Sequence, residues 1–224
     1  TQIINAGIAE QNIISVAAGL ALGGKKVFAH AIAPFITLRC LEQIKVDISM
    51  MDLPVTIVGV GTGFTYGSDG PTHHAIEDLA VIRAIPGMKI LSASDTISLS
   101  AFPHLAYNHP SPTYIRFSKG DYPMLYKNLN HNFKDGIAKI KFGKDITIIS
   151  SGIIVHKALE FAEELKNYNI NAGVIDLYRL KPVNKKLLLD FLKNNKKIIT
   201  MEEHLAYGGL GSIISDFLCD HNLN

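Results

Sequence analysis

Cysteine, net charge and long apolar runs are what this sequence has little of. Its two cysteines, Cys40 and Cys219, stand far apart within apolar helical patterns. Two buried free thiols are the expectation, which fits a reducing compartment and a cytoplasmic location. The net charge is only +2 over 224 residues, with both signs interspersed. Such a balance carries no footprint for nucleic acid or for an acidic partner. The lysines at Lys185-Lys186 and from Lys193 to Lys197 read as solvated helix faces and turns. No apolar run approaches the roughly 20 residues of a membrane-spanning helix, so no membrane contact is expected. Internal repeats, low-complexity tracts and a visible leader are absent as well, and residue 1 is Thr.

What the sequence does contain is apolar residues, 47% of the total, enough for one large core or two ordinary ones. Short apolar runs alternate with helical patterns, which argues for βαβ units and parallel sheets. The first helix is predicted over Glu10 to Leu22, with Ile13, Ile14, Ala17, Ala18 and Ala21 on one stripe and Gly23-Gly24 as its stop. A strand over Lys26 to Ile32, a helix over Phe35 to Met50 and a buried strand over Val55 to Val60 follow. Next come a helix from about His74, a strand over Lys89 to Ser92 and a helix capped by Asp95. Thr113 to Phe117 is the next strand. From Ser118 to Asp135 the pattern dissolves into Gly, Pro, Asn and charges, which marks a domain boundary. The second unit is predicted to carry strands over Asp145 to Ser150, Ala172 to Leu177 and Lys197 to Met201. Its helices are expected over Ile154 to Tyr168, Lys185 to Leu192 and after Gly208-Gly-Leu-Gly211. The fold class is therefore α/β with two parallel-sheet domains, over residues 1–126 and 136–224.

The stretch Gly67-Ser-Asp-Gly-Pro-Thr-His-His74 follows the central apolar strand and precedes a helix. It stands at the carboxyl end of a strand, where open α/β sheets bind ligands. Together with Gly7-Ile-Ala-Glu-Gln11 upstream and Glu202-Glu-His-Leu-Ala-Tyr-Gly-Gly-Leu-Gly211 downstream, it resembles the thiamine-diphosphate-dependent transketolase family. The likeness is to that family's pyrimidine-binding and C-terminal domains, nearly end to end. Against the family, both domains look truncated, the first at its opening and the second at its close. A three-stranded second sheet would leave an open edge.

The resemblance assigns roles residue by residue. Glu10 would hydrogen-bond N1′ of the cofactor's aminopyrimidine and so favour the imino tautomer that takes the C2 proton. By residue type alone, Glu10 is also an ordinary acidic residue in a first helical turn. Phe35 would offer the pyrimidine an aromatic face, or else be a core residue. Arg39 lies one turn on, on the same face, where it supports the site or pairs with a carboxylate. His73 would hydrogen-bond the carbonyl or hydroxyl being transformed, and Asp69 a substrate hydroxyl. Asp69-Gly70-Pro71 is equally good turn chemistry, and Thr72 is a possible cap for the next helix. Arg116 and Lys119, at the end of a strand, would hold a sugar phosphate, or be surface charge. Gly61 stands where sugar-phosphate transketolases often carry His, and Ser68 where they carry Glu. Tyr66 is, by position, the candidate for a compensating hydroxyl.

A Gly-Asp-Gly…Asn sequence, which in this family holds the diphosphate through a divalent cation, is missing. The Mg2+ ligands are therefore expected on a diphosphate-binding N-terminal domain or subunit, in a homodimer or an α2β2 assembly. The implied activity is transfer of a two-carbon ketol unit between sugars, with thiamine diphosphate bound at the shared interface. The alternatives are a 1-deoxyxylulose-5-phosphate synthase, the β subunit of a 2-oxoacid dehydrogenase, and a catalytically silent scaffold.

Overall fold

The computed structural model describes residues 2–193 and 197–222. The middle of the predicted lysine-rich turn, residues 194–196, lies outside the described residues. In chain order the first unit runs α1 (Glu10–Leu22), β1 (Val27–Ile32), α2 (Ala33–Thr37), α3 (Leu41–Gln43), β2 (Val55–Val60), α4 (Asp78–Ala84), β3 (Lys89–Ser92), α5 (Thr96–Asn108) and β4 (Thr113–Phe117). The second runs β5 (Ala138–Lys141), β6 (Ile146–Ser150), α6 (Ile154–Glu164), β7 (Ala172–Asp176), β8 (Arg179–Lys181), α7 (Lys185–Leu192), β9 (Ile198–Met201) and α8 (Leu210–Asp220).

The first sheet has the order β1-β2-β4-β3-β8 and the second β5-β7-β6-β9. Both are mostly parallel, and each gains one short antiparallel strand the sequence pattern does not reveal. β8 adds to β3, with Leu91 opposite Arg179, and so extends a first-unit sheet with second-unit backbone. β5 adds to β7 and makes the second sheet four-stranded instead of three. Central β2 is buried along most of its length. Gly59 within it allows a close approach: a Cβ there would stand 2.8 Å from the Tyr114 hydroxyl and 3.2 Å from Ala33 Cα.

α1 buries Ile14, Ala17, Ala18 and Ala21 as its stripe predicts. The long helix expected over Phe35 to Met50 is broken. Thr37 Oγ1 donates to the Ala33 carbonyl at 2.6 Å, a local bond that competes with helix propagation, and the chain turns at Leu38 to Cys40 before α3. Ile44–Ser49 then continues as a π-helix, which keeps Ile44 and Ile48 buried. The helix expected from His74 opens only at Asp78. Ala75 exchanges backbone hydrogen bonds with Gly63 at 2.9 and 3.0 Å, and the Ile76 carbonyl accepts from Leu205 N–H at 3.0 Å. Those pairings hold the segment extended, so Thr72 caps no helix. Of the thiols, Cys40 is buried as expected but Cys219 is exposed, because it falls on the polar flank of α8.

The boundary segment is largely exposed but anchored by two buried rings. Tyr126 and Phe133 are buried against Phe102 and Tyr178, with ring centroids 4.9–6.2 Å apart. Asp95 caps α5 by accepting from Ser98 N–H at 2.7 Å, and its second oxygen accepts from the backbone N–H groups of Leu125 and Tyr126. Across the domain junction, the fully buried Asp176 accepts from Ser94 Oγ at 2.6 Å and from the Tyr126 hydroxyl at 2.7 Å. Its other oxygen, Oδ1, has no partner among the described residues. Burial therefore dominates over these two hydrogen bonds and pushes the Asp176 carboxyl up to about 7.

The folded acid holds its proton where the unfolded one has lost it. Its contribution is fully present below the ordinary carboxylate range near 4 and is lost as pH rises to about 7. Stability is expected to fall from pH 5 to pH 7.5, measured by urea titration at each pH. Asp176→Asn should flatten that slope; an unchanged slope in the variant would assign it to other groups.

Candidate functional site

Glu10, Arg39, Phe35 and His73 come together in one connected chain of contacts. Glu10 opens α1 and is only 6% exposed. Its Oε2 accepts from Arg39 Nη1 at 2.7 Å, while Oε1 takes no hydrogen bond from a described residue. Arg39 reaches Glu10 because the chain turns between α2 and α3. Its guanidinium also lies 4.3 Å from the centroid of the Phe35 ring, a cation–π contact. The edge of His73 meets Phe35 at 4.9 Å. Thr72 Oγ1 lies 3.0 Å from His73 Nδ1, which leaves Nε2 without a partner among the described residues. The alternative the sequence left open for Arg39, pairing with a carboxylate, is the one the structure displays, and the carboxylate is Glu10. Cys40 next to it is no nucleophile: burial, reinforced by the Glu10 carboxylate, pushes its thiol up to about 11.

The remaining candidates stand apart. Asp69 ends a single 3₁₀ turn, Gly67–Asp69, and is exposed. Arg116 is not surface charge. It is buried, and its Nε and Nη2 donate to the two oxygens of Asp78 at 2.8 and 3.1 Å. The Tyr114 hydroxyl donates to the same carboxylate at 2.7 Å. The Asp78 carboxylate holds the Arg116 guanidinium charged against burial, and burial pushes the Tyr114 phenol well up. With its fork committed, Arg116 has no free face for a phosphate unless Asp78 is displaced. Lys119 is exposed two residues beyond Phe117, whose carbonyl accepts from Gly61 N–H at 2.8 Å. That places residue 119 just beyond the carboxyl ends of β2 and β4.

Gly61 and Tyr66 form a feature that sequence spacing only hinted at. Gly61 has φ +83°, and a Cβ there would lie 2.0 Å from Tyr66 Cε2. The phenol ring thus fills the volume that any side chain at position 61 would need. Tyr66 also faces His73 at 6.0 Å between ring centroids. Phe64 meets His74 at 5.0 Å, so His74 closes the outer side of the loop. Gly63, at φ +61°, admits the Glu203 carboxylate of the second unit against its backbone. Glu202 accepts from Gly211 N–H at 2.8 Å and from Leu210 N–H, which caps α8. His204 Nε2 accepts from Ala80 N–H at 3.4 Å. The downstream motif is therefore architectural, and ties the second unit to the loop that carries His73.

Two α/β units, with Phe35, Tyr66 and His73 on segments that follow strands of the first sheet, have the architecture of the doubly wound class, in which ligands bind at the carboxyl ends of strands. Family models make the assignment specific: "Transketolase, pyrimidine binding domain" matches residues 1–124 and "Transketolase, C-terminal domain" matches residues 136–224. The chain belongs to the transketolase family. It is similar to one of the subunits of the apulose-4-phosphate transketolase of Phocaeicola vulgatus, 38% identical over 98% of this chain and 71% of that protein. A putative transketolase C-terminal section of Methanocaldococcus jannaschii is 34% identical over 100% of this chain and 70% of its own length. Human transketolase is 35% identical over 96% of this chain, which corresponds to 35% of the human protein. Among solved structures, a split gene transketolase described as an inactive β4 tetramer superposes with a TM-score of 0.88 at 36% identity, covering 97% of this chain and 70% of that one.

Gly61→Ala should destabilise the chain by about 1–3 kcal/mol, through the ring clash and the left-handed backbone together. In a Tyr66→Ala background the same change should cost about 1 kcal/mol, the backbone part alone. Chemical denaturation of the four proteins of this cycle checks it. An equal cost in both backgrounds would mean the two positions do not share the space.

Proposed function

We propose that this chain is the pyrimidine-side half of a two-part transketolase, moving a two-carbon ketol unit between sugars once a diphosphate-binding subunit completes the site. The observation that carries this is a nearly buried carboxylate, Glu10, with one oxygen held by Arg39 and the other uncommitted. Thiamine diphosphate, when bound, supplies the carbon nucleophile that carries the two-carbon unit. Glu10 fits such a group because its open oxygen can accept from a ring N–H, while Arg39 holds the other oxygen and orients the carboxylate. Phe35 supplies an aromatic wall. His73 has a free ring nitrogen with which to hold or pass a proton at the substrate carbonyl or hydroxyl. Asp69, exposed on the same loop, is assigned to a substrate hydroxyl. Lys119 is assigned to the phosphate of a sugar phosphate, and Arg116 joins it only if Asp78 yields.

Apolar side chains close in sequence to Glu10 and Arg39 lie open, among them Ile8 at 95% and Leu38 at 39% exposure. A partner surface over this face would bury them. No metal-binding group of acidic, His or Cys side chains occurs among the described residues; the Mg2+ ligands are assigned to the partner as part of this proposal. The Phocaeicola relative is named as one subunit of its transketolase, and the split transketolase is inactive as a tetramer of one chain type. Both favour a partner on a separate subunit, and the assembly assigned is a homodimer or α2β2. No described helix is long and apolar enough to cross a membrane; a cytoplasmic enzyme is proposed.

Titration of thiamine diphosphate with Mg2+ should give no binding heat with this chain alone and saturable binding once the diphosphate-binding subunit is present. In that complex Glu10→Gln should lower turnover at least 100-fold, roughly the worth of a positioned acid–base group, without preventing assembly. Undiminished turnover would remove Glu10 from the mechanism. Saturable binding to the isolated chain would overturn the shared site.

A further inference from the structure

Lys119 sits in a short segment, Ser118 to Tyr122, that is tied down at both ends. At its start the Ser118 hydroxyl lies 2.8 Å from Thr62 Oγ1, on the loop that follows β2. At its end the Tyr122 ring stacks on His156 of α6, with centroids 5.5 Å apart and planes 24° from parallel. His156 is itself fixed. Its Nε2 lies 2.8 Å from the Ser94 carbonyl, which can only accept, so that nitrogen carries the proton. Gly120, at φ +143°, lets the same phenol ring cover the segment; a Cβ there would stand 3.1 Å from Tyr122 Cε2. Between these ties Lys119 is exposed, and no described residue pairs with its ammonium. Asp121, of opposite charge, is exposed on the same segment and is unpaired as well among the described residues.

Charge alone does not make this segment a phosphate holder, because Lys119 and Asp121 cancel. What counts is which of the two the backbone offers at the carboxyl ends of β2 and β4. We propose that Tyr122 and His156 are positioning residues: their stack fixes the segment so that Lys119, and not Asp121, serves the phosphate of a phosphorylated sugar. The inference rests on the transketolase reading and on its assignment of Lys119. It gives the second unit a part in substrate recognition through α6, without a side chain of that helix touching the substrate. A tied segment has little freedom left to lose when phosphate binds, whereas a loosened one must be ordered by the substrate itself. The tie therefore acts on affinity and not on the chemical step.

The test uses the complex of this chain with its diphosphate-binding subunit, loaded with thiamine diphosphate and Mg2+. Saturating hydroxypyruvate serves as donor. D-glyceraldehyde 3-phosphate and D-glyceraldehyde serve as acceptors that differ only in the phosphate. His156→Ala and Tyr122→Ala should each raise KM for the phosphorylated acceptor about three- to tenfold, the worth of one aromatic contact. Turnover number and the KM of D-glyceraldehyde should stay unchanged. Tyr122→Phe, which keeps the ring, should behave as the wild type does. Lys119→Ala should raise the same KM, and adding Tyr122→Ala to it should change nothing further, since the tie acts only through that lysine. Tyr122 lies on a surface segment, so its variants carry the test should His156→Ala fail to fold. A KM that moves in Lys119→Ala but in neither Tyr122→Ala nor His156→Ala overturns the inference and leaves the transketolase reading intact. An effect of Tyr122→Ala that is equal for both acceptors, or that persists in full without Lys119, makes the stack merely structural and also overturns it. A Lys119→Ala complex that handles both acceptors as the wild type does removes the phosphate assignment, and the inference with it. A wild-type complex that binds cofactor but transfers no two-carbon unit overturns the reading beneath both.

Discussion

The buried pair between Asp78 and Arg116 is the interaction on which the arrangement of this molecule depends. Asp78 lies at the start of α4 and Arg116 near the end of β4, so their bidentate contact pins the helix that leaves the loop to the strand beside it. Tyr114, which adds its hydroxyl to the same carboxylate, packs under Gly59 in β2. A buried ion pair of this kind is weak evidence for extra stability, because desolvation offsets the attraction. Its value is positional: removing either partner strands a charge at a cost of about 3–5 kcal/mol, so alternative packings are excluded. The elements at both ends of residues 61–77 are fixed in this way.

Along that path, the geometry is set by small residues and by aromatic rings that use the space they leave. Gly61 gives way to Tyr66, and Gly63 gives way to Glu203 from the second unit. Phe35 receives His73 on its edge and Arg39 over its ring. Each contact is worth little alone, about 0.5–1.5 kcal/mol for an aromatic pair. They are linked, however, so that Glu10 at one end and Tyr66 at the other are positioned by the same chain of neighbours. Their positions are therefore set together rather than one by one.

The two units are not independent beads. β8 completes the first sheet, one continuous apolar core runs from Leu79 and Ile82 to Leu188 and Phe217, and the Asp176 carboxyl draws Ser94 and Tyr126 together. The loop that bears His73 is therefore braced from the far domain, through Leu205, His204 and Glu203. The downstream Glu-Glu-His and glycine-rich motif supplies these structural contacts.

Much of this was legible in the residues. Strand and helix periodicity located the parallel strands β1 to β4, β6, β7 and β9, because buried parallel strands read as unbroken apolar runs. The Asp95 cap, and the family motifs around Glu10 and His73, are local signals that survive without a partner. Three things were not legible. β5 and β8 are too short and too charged to announce themselves, and form only because an open sheet edge is waiting for them. The helix after Phe35 breaks, and the one after His74 starts late, because hydrogen bonds made by Thr37 and Gly63 outcompete helical ones. Arg116 looked like an exposed cation at a strand end until Asp78, 38 residues away, claimed its fork. The amino-acid sequence by itself determined the fold class and the family, since those rest on periodicity and short motifs. Which charge is spent on structure, which oxygen of Glu10 remains open and which ring fills the space over Gly61 were decided only by the tertiary structure, because each depends on residues that the chain brings together from distant segments.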